Sequence, residues 1–308
     1  MGILQDKVAI VTGAGRGIGR GEALLLAREG ANIVVNDVGA SVSGEGHDTS
    51  PAEQVVKEIE QLGGKAIVDD TDVTDFEATG RLVSKAIEHF GKLDILVNNA
   101  GILRDRMLVN MSEEEWDAVI NVHLKGTFNC CRHATAYWRE RSKAGEQVAG
   151  RIINTSSPSG LYGNVGQSNY GAAKAGIAAL TVILAQEVQR YGVTVNAVSP
   201  SARTRMTELA FGEIAAPEEG FDAFAPENIA PIVAYLATDD AAGITGQVFG
   251  VQGASIALLQ GWTPSGVIDK DSAWEPAELM DAIEQIIPGR KIQPDPMAAR
   301  LAAGQQPL

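Results

Sequence analysis

Tyr170 and Lys174 stand four residues apart in a stretch that reads as helix, so both side chains share one face. A tyrosine hydroxyl ordinarily ionises near pH ~10. A close ammonium favours the phenolate, lowering that value by roughly 1–3, and a bound cationic ring would add to the effect. Such a pair is a candidate general acid/base for a hydroxyl proton. Taken alone, it is also an ordinary helix surface. Ser157 lies 13 residues earlier, just past a buried strand, and offers a hydroxyl to hold an oxygen. Asn121 falls in mid-helix, where a polar side chain needs a reason.

A second set of residues points to a dinucleotide. Thr12-Gly13-Ala14-Gly15-Arg16-Gly17-Ile18-Gly19 separates an apolar strand from a helix. Glycines there let the backbone turn tightly and approach a pyrophosphate, with the helix N-terminus facing the charge. Asp37 ends the second strand, 20 residues beyond Gly17, where a carboxylate can accept hydrogen bonds from an adenosine ribose. A glycine turn that merely packs and an aspartate that merely caps would have to explain why strand, helix and carboxylate all coincide. Asp37 repels a 2′-phosphate, and no basic residue follows in Val38-Gly39-Ala40, which predicts NAD(H) over NADP(H). Arg16 is a weak counter-signal, since it could reach a 2′-phosphate, and it reads first as a solvated loop charge.

The elements that must position these groups alternate. Strands are expected at Lys7–Thr12, Asn32–Asn36, Lys65–Val68, Asp94–Val97, Arg151–Thr155, Thr194–Val198 and Gln247–Val251. Helices are expected at Gly17–Glu29, Pro51–Leu62, Asp75–Phe90, from Ser112 past Cys131 to about Arg141, and Tyr170–Tyr191. Ser50 with Glu53, and Ser112 with Glu115, have the spacing of capping boxes. Strands alternating with helices imply a parallel sheet covered on both faces, and right-handed crossovers make it doubly wound. The expected architecture is a single Rossmann-type α/β fold with seven strands. Residues 1–260 form the nucleotide-binding and catalytic domain. Residues 261–308 form an extension that packs on it or trails from it, its 289–308 end being mobile.

Composition narrows the function class. Of 308 residues, 45% are apolar and 21% charged, which suits a packed domain rather than a disordered chain. A net charge of −14 argues against a nucleic-acid partner and against docking on an anionic membrane. The uncharged apolar run Ala175–Gln186 is short for a bilayer span. The adjacent Cys130 and Cys131 point about 100° apart on a helix and read as half-buried packing thiols. His47, His89, His123 and His133 have no metal-ligand spacing, so no metal is expected. No targeting segment is evident, and the terminal Gln-Gln-Pro-Leu is not a peroxisomal address, which makes cytoplasm the expected location.

Taken together, TGAGRGIG, Asn98-Asn99-Ala100-Gly101, Asn121, Ser157, YGAAK and Asn196–Pro200 resemble the short-chain dehydrogenase/reductase family over about Lys7 to Ala254. The resemblance implies an NAD-dependent oxidoreductase. Tyr170 would be the acid/base, and Lys174 would bind the nicotinamide ribose and lower the tyrosine pKa. Ser157 would hold the substrate oxygen and Asn121 a relay water. Gly13, Arg16, Gly17, Ile18, Gly19 and Asp37 would hold the adenosine and phosphates. Asp72 and Val73 would flank the adenine, Asn99, Ala100 and Gly101 would line the adenosine side, and Pro200, Ala202 and Thr204 would meet the nicotinamide end. Two departures from the family pattern are Pro200-Ser201 for Pro-Gly and Gly253-Ala254 for Gly-Gly.

Within the family, ILRDRML, NVHLKGTF and GLYGNVGQSNY look like the dehydrogenase domain of peroxisomal multifunctional enzyme type 2, a (3R)-hydroxyacyl-CoA dehydrogenase also called 17β-hydroxysteroid dehydrogenase type 4. That implies 3-hydroxyacyl-CoA substrates, some of them steroid-derived. A free-steroid dehydrogenase, a general ketone or alcohol reductase, and a catalytically silent nucleotide-binding regulator are the alternatives. Arg104, Arg106, Arg203 and Arg205 suit CoA phosphates or, equally, local acids such as Asp105, Glu113 and Glu208. Met206, Leu209, Phe211, Phe221 and Phe224 suit an apolar lid or ordinary packing. Small residues along the Tyr170 helix, Gly171 to Ala179, permit close approach of another helix, and a homodimer or homotetramer is expected.

Overall fold

In the computed structural model, which describes residues 2–287, the apolar runs become strands and the capped segments helices. In chain order these are β1 (Val8–Thr12), α1 (Gly17–Arg28), β2 (Asn32–Asn36), α2 (Ser50–Gln61), β3 (Lys65–Asp69), α3 (Phe76–Phe90), β4 (Ile95–Asn98) and α4 (Glu113–Ile120). They continue as α5 (Gly126–Lys143), β5 (Gly150–Thr155), α6 (Pro158–Tyr162), α7 (Ser168–Val188), β6 (Val193–Pro200) and α8 (Arg205–Phe211). The last are α9 (Ala230–Leu236), β7 (Val248–Gln252), β8 (Ser255–Leu259) and α10 (Pro276–Ala282). The expected mobile end, 289–308, lies outside the described residues.

The sheet runs β3-β2-β1-β4-β5-β6-β7-β8. Its first seven strands are parallel, as expected from the alternation. The eighth is an addition to the expected seven, antiparallel to β7 in a hairpin that pairs Gln252 with Ser255. The two-residue turn explains it. Gly253 has φ +55° and occupies the first turn position, which a type II′ hairpin reserves for glycine. The departure from Gly-Gly is thus a turn that starts an edge strand.

Successive β2 side chains feed opposite cores, Ile33 and Val35 into one and Val34 into the other. Helices α1, α2 and α9 cover the first face through Leu26, Ile59 and Val233. Helices α3, α5 and α7 cover the second through Leu82, Trp138 and Leu184. Strands buried on both sides must be apolar throughout, which is why they read as unbroken runs. Cys130 and Cys131 are fully buried in that second core rather than half-buried, and both are free thiols.

Two helix starts differ from each other. The Ser112–Glu115 capping box forms as expected. At α2 the expected Ser50 cap is corrected: the helix begins at Ser50, and Glu53 instead accepts from the Thr49 hydroxyl at 3.0 Å. Asp48 explains the offset, because its carboxylate accepts the Ser50 amide at 2.9 Å and draws that residue into the first turn.

The long helix opened by Ser112 is interrupted. After α4, residues Asn121–Lys125 form one π-helical turn before α5 resumes. The 168–191 helical segment is long and apolar enough to cross a membrane by length and composition. It carries Asn169, Lys174 and Thr181 buried inside the protein, however, and packs along the sheet as a core helix.

Candidate active site

The strand order reverses between β1 and β4, and a crevice opens there at the carboxyl ends of the strands, where open α/β sheets bind ligands. It is a groove of about 370 Å³. Every residue expected to touch a coenzyme lines it except Gly19. Gly19 works from behind the wall: a Cβ on it would stand 2.4 Å from Asn99 Nδ2, and one on Gly13 would stand 2.8 Å from Ala100 Cα. Asn99 ties this loop down, donating to the carbonyls of Thr12 and Gly13 at 3.1 Å. Thr12 Oγ1 in return accepts the amides of Asn99 and Ala100 at 3.0 and 3.1 Å.

The groove fits a dinucleotide on its own chemistry. No side chain caps the first turn of α1, and no acidic residue occupies it, so its amides remain available to a diphosphate. Asp37 accepts the amides of Gly15 at 2.7 Å and Gly39 at 2.6 Å, which fixes its carboxylate at the end of β2. Asp72 is held likewise by the Thr74 amide at 2.8 Å. Arg16 lies 4.0 Å from Asp48, an exposed contact of little energetic weight.

At the other end of the groove, α7 brings Tyr170 and Lys174 beside Ser157, which begins α6. Ser157 accepts the Ser159 amide at 3.2 Å, and its side chain acts on the Tyr170 hydroxyl, favouring the phenolate. Lys174 is 3% exposed, and its Nζ donates to the Thr155 carbonyl at 2.6 Å. The same Nζ lies 5.5 Å from the Tyr170 ring centroid. Burial dominates both groups. It pushes the tyrosine up to about 12, with the Ser157 bond opposing, and the lysine down to about 7. The expected lowering of Tyr170 by Lys174 is not achieved by the protein alone, where desolvation is the largest influence and Asp105 adds to it.

Asn121 is a correction. It is exposed and lines neither cavity of the site. It opens the π turn, and residues two apart on a helix point roughly 200° apart, so the side that faces the site belongs to His123. His123 is buried, lines the groove, and meets Tyr170 edge-on with ring centroids 5.1 Å apart. The sequence carried a signal for this. Val119, His123, Thr127, Cys130, Ala134 and Trp138 form one buried stripe at helical spacing, and Asn121 is off it.

Beyond Tyr170 lies a second cavity of about 280 Å³, largely apolar. Tyr170, Pro200, Ala202, Met206 and Thr207 line both spaces. Of the apolar residues expected to form a lid, Met206 and Phe224 line this cavity, joined by Ala210 and Ile214, whereas Leu209 and Phe221 face solvent. Three of the four arginines pair with acids, although not the expected ones: Arg104 with Glu114 at 3.2 Å, Arg106 with Glu115 at 2.9 Å, and Arg203 with Asp222. Asp105 instead accepts from Gln167 at 2.6 Å. Arg205 is exposed at the groove mouth, facing Arg16 and Asp37, with no carboxylate at ion-pair distance among the described residues.

Comparison with known proteins agrees with this geometry. The short chain dehydrogenase family matches residues 7–211. Hydroxyacyl-CoA dehydrogenase ChsB1 of Mycobacterium tuberculosis is 46% identical over 298 residues, covering 93% of this chain and 90% of that protein. Peroxisomal multifunctional enzyme type 2 of Drosophila melanogaster is 47% identical over 232 residues, 75% of this chain and 36% of that protein. This chain therefore spans about a third of that multifunctional enzyme. A crystal structure of a short chain dehydrogenase from Mycobacterium avium superposes with a TM-score of 0.85 at 52% identity, covering 96% of this chain and 99% of that one. A family match over most of the sheet, joined to relatives of this closeness, makes the protein an oxidoreductase that belongs to the short-chain dehydrogenase family.

Proposed function

We propose that this enzyme oxidises and reduces C3 of 3-hydroxyacyl-CoA thioesters with NAD(H) as coenzyme. The observation that carries the reading is the position of Tyr170, which lines both the nucleotide groove and the apolar cavity, the latter together with Ser157. When bound, the oxidised dinucleotide supplies the hydride acceptor and a positive charge. Ser157 holds the C3 oxygen. Tyr170, as phenolate, takes the hydroxyl proton as the hydride leaves the same carbon. Lys174 passes that proton towards solvent.

NAD(H) is supported by the carboxylate of Asp37 at the ribose end of the groove. The thioester is supported by the named hydroxyacyl-CoA dehydrogenase relative. We further propose a homodimer or homotetramer in the cytoplasm. Phe128 on α5 and Val182 and Ile183 on α7 are exposed apolar residues that a second copy could cover. Light scattering that returned a monomer would refute the assembly.

The test of function is NADH absorbance with acetoacetyl-CoA, a 17-ketosteroid and a short ketone. Acetoacetyl-CoA should have the highest kcat/KM. A higher value for the steroid would move the assignment to a steroid dehydrogenase. No turnover of any of the three, with NADH still bound, would make the protein a silent nucleotide binder.

A further inference from the structure

The corner that holds Tyr170 contains a buried imidazole with no role in the scheme above. His123 is 1% exposed. Its Nε2 lies 2.8 Å from the Ile102 carbonyl oxygen and 3.1 Å from the Ile102 amide nitrogen. The carbonyl only accepts and the amide only donates, so a neutral Nε2 serves one of them in each tautomer, and Nδ1 is left as acceptor in one and donor in the other. Nδ1 is buried and has no hydrogen-bond partner among the described residues. A polar atom left unpaired in the interior is costly, and in a working site it marks a bond still to be made. The ring is also wedged in place: a Cβ on Gly101 would stand 2.3 Å from its Cε1. Its 89° edge-on contact with Tyr170 ties the orientation of one ring to the other.

We propose that His123, rather than Asn121, is the positioning residue of the proton path: its Nδ1 hydrogen-bonds the water that carries the Tyr170 proton from Lys174 to solvent. The proposal rests on Tyr170 being the acid/base. The proton leaves the Tyr170 hydroxyl, passes over Lys174 Nζ and exits to bulk water; His123 gains and loses no proton. Around the imidazole, α7 contributes Tyr170 and the Lys174 charge, and the loop after β4 contributes only the Ile102 backbone, while Asp105 acts on Tyr170 rather than on the imidazole. Burial and Lys174 hold its pKa down to about 3, so the ring remains neutral across working pH. Position 123 lies on the buried stripe that runs from Val119 to Trp138, and residue 121 does not.

The test compares His123→Asn, His123→Leu and Asn121→Ala in the full chain. Asparagine places an oxygen at the δ position where Nδ1 stands, and leucine places a methyl there. We expect His123→Leu to lose about 10²-fold in kcat with an enlarged solvent deuterium isotope effect, and His123→Asn to stay within about 5-fold of wild type. NADH fluorescence titration and thermal melting should give His123→Leu and His123→Asn similar values, which separates the path from folding and coenzyme binding. Asn121→Ala should remain within about 2-fold of wild type. Equal losses in the Asn and Leu variants, an unchanged isotope effect in His123→Leu, or a large loss in Asn121→Ala would each overturn the proposal. Full activity in Tyr170→Phe would instead overturn the reading on which it rests.

Discussion

The two spaces that meet at Tyr170 are built in different ways. The nucleotide groove is walled by backbone: the glycine loop, the amides around Asp37, and the Thr12–Asn99 bonds that lock β1 to β4. The apolar cavity is walled by side chains from α8 and from residues 214 and 224, separated in sequence from the strands they cover. Its outer wall is fastened by the Arg203–Asp222 pair and by the Arg203 amide on the Phe224 carbonyl at 2.6 Å. A groove made of backbone has one shape and one class of ligand. A cavity made of side chains can change its occupant by substitution without disturbing the sheet.

The largest effect should come where the two spaces share a residue. Tyr170→Phe is expected to lower kcat by about 10³-fold or more and to leave NADH affinity within about 3-fold, measured by steady-state kinetics and fluorescence titration. Weaker NADH binding of the same size as the kcat loss would mean that Tyr170 belongs to the groove alone. On the groove side, Gly19→Ala drives a Cβ to 2.4 Å from Asn99 Nδ2. That should cost about 1–3 kcal/mol in chemical denaturation and weaken NADH at least tenfold. Unchanged binding in a stable variant would show the loop to be less constrained than its contacts indicate.

Asp37→Ala should raise KM for NAD⁺ roughly tenfold and narrow its preference over NADP⁺, since a hydrogen-bonded charge is removed. An NADP⁺ preference already present in the wild type would reverse the coenzyme assignment. On the cavity side, Arg203→Ala should raise KM for the acyl substrate a few-fold with kcat and NADH binding little changed, because an ion pair open to solvent contributes little. A loss of NADH binding in that variant would erase the distinction between the two walls.

An effect on stability rather than on turnover concerns Glu22, on α1 behind the glycine loop. It is fully buried, with neither carboxylate oxygen paired among the described residues, and desolvation pushes its pKa up to about 8. Its folded pKa lies above the unfolded one, so its contribution favours the folded state below about pH 4.5 and is lost as pH rises towards 8. Lys174 has the opposite shift, which makes stability rise with pH between about 7 and 10.5. Melting temperature between pH 5 and 8 should therefore fall less steeply with pH in Glu22→Gln than in wild type. Parallel curves would place water or a partner at that carboxylate.

Much of the groove is legible in the chain because its chemistry is local. A strand, a glycine turn and a helix follow one another within twelve residues from Val8 to Gly19, and Asp37 ends the next strand. The cavity is less legible, because Met206 and Phe224 line it while Leu209 and Phe221, equally apolar, do not. Composition cannot separate them; the path of the chain does. The same holds for the arginines, whose carboxylate partners were chosen by loop packing rather than by sequence proximity alone.

By itself the sequence determined the alternation of strand and helix, the glycine crevice, and the pairing of Tyr170 with Lys174 on one helical face, since each depends on spacing along a single element. Tertiary structure decided the rest. It added β8 through the Gly253 turn, put His123 where Asn121 was expected, and raised Tyr170 rather than lowering it. The physical reason is common to the last two. Which side chain faces the interior, and how strongly desolvation competes with a neighbouring charge, are set only when helices close over the sheet and exclude water.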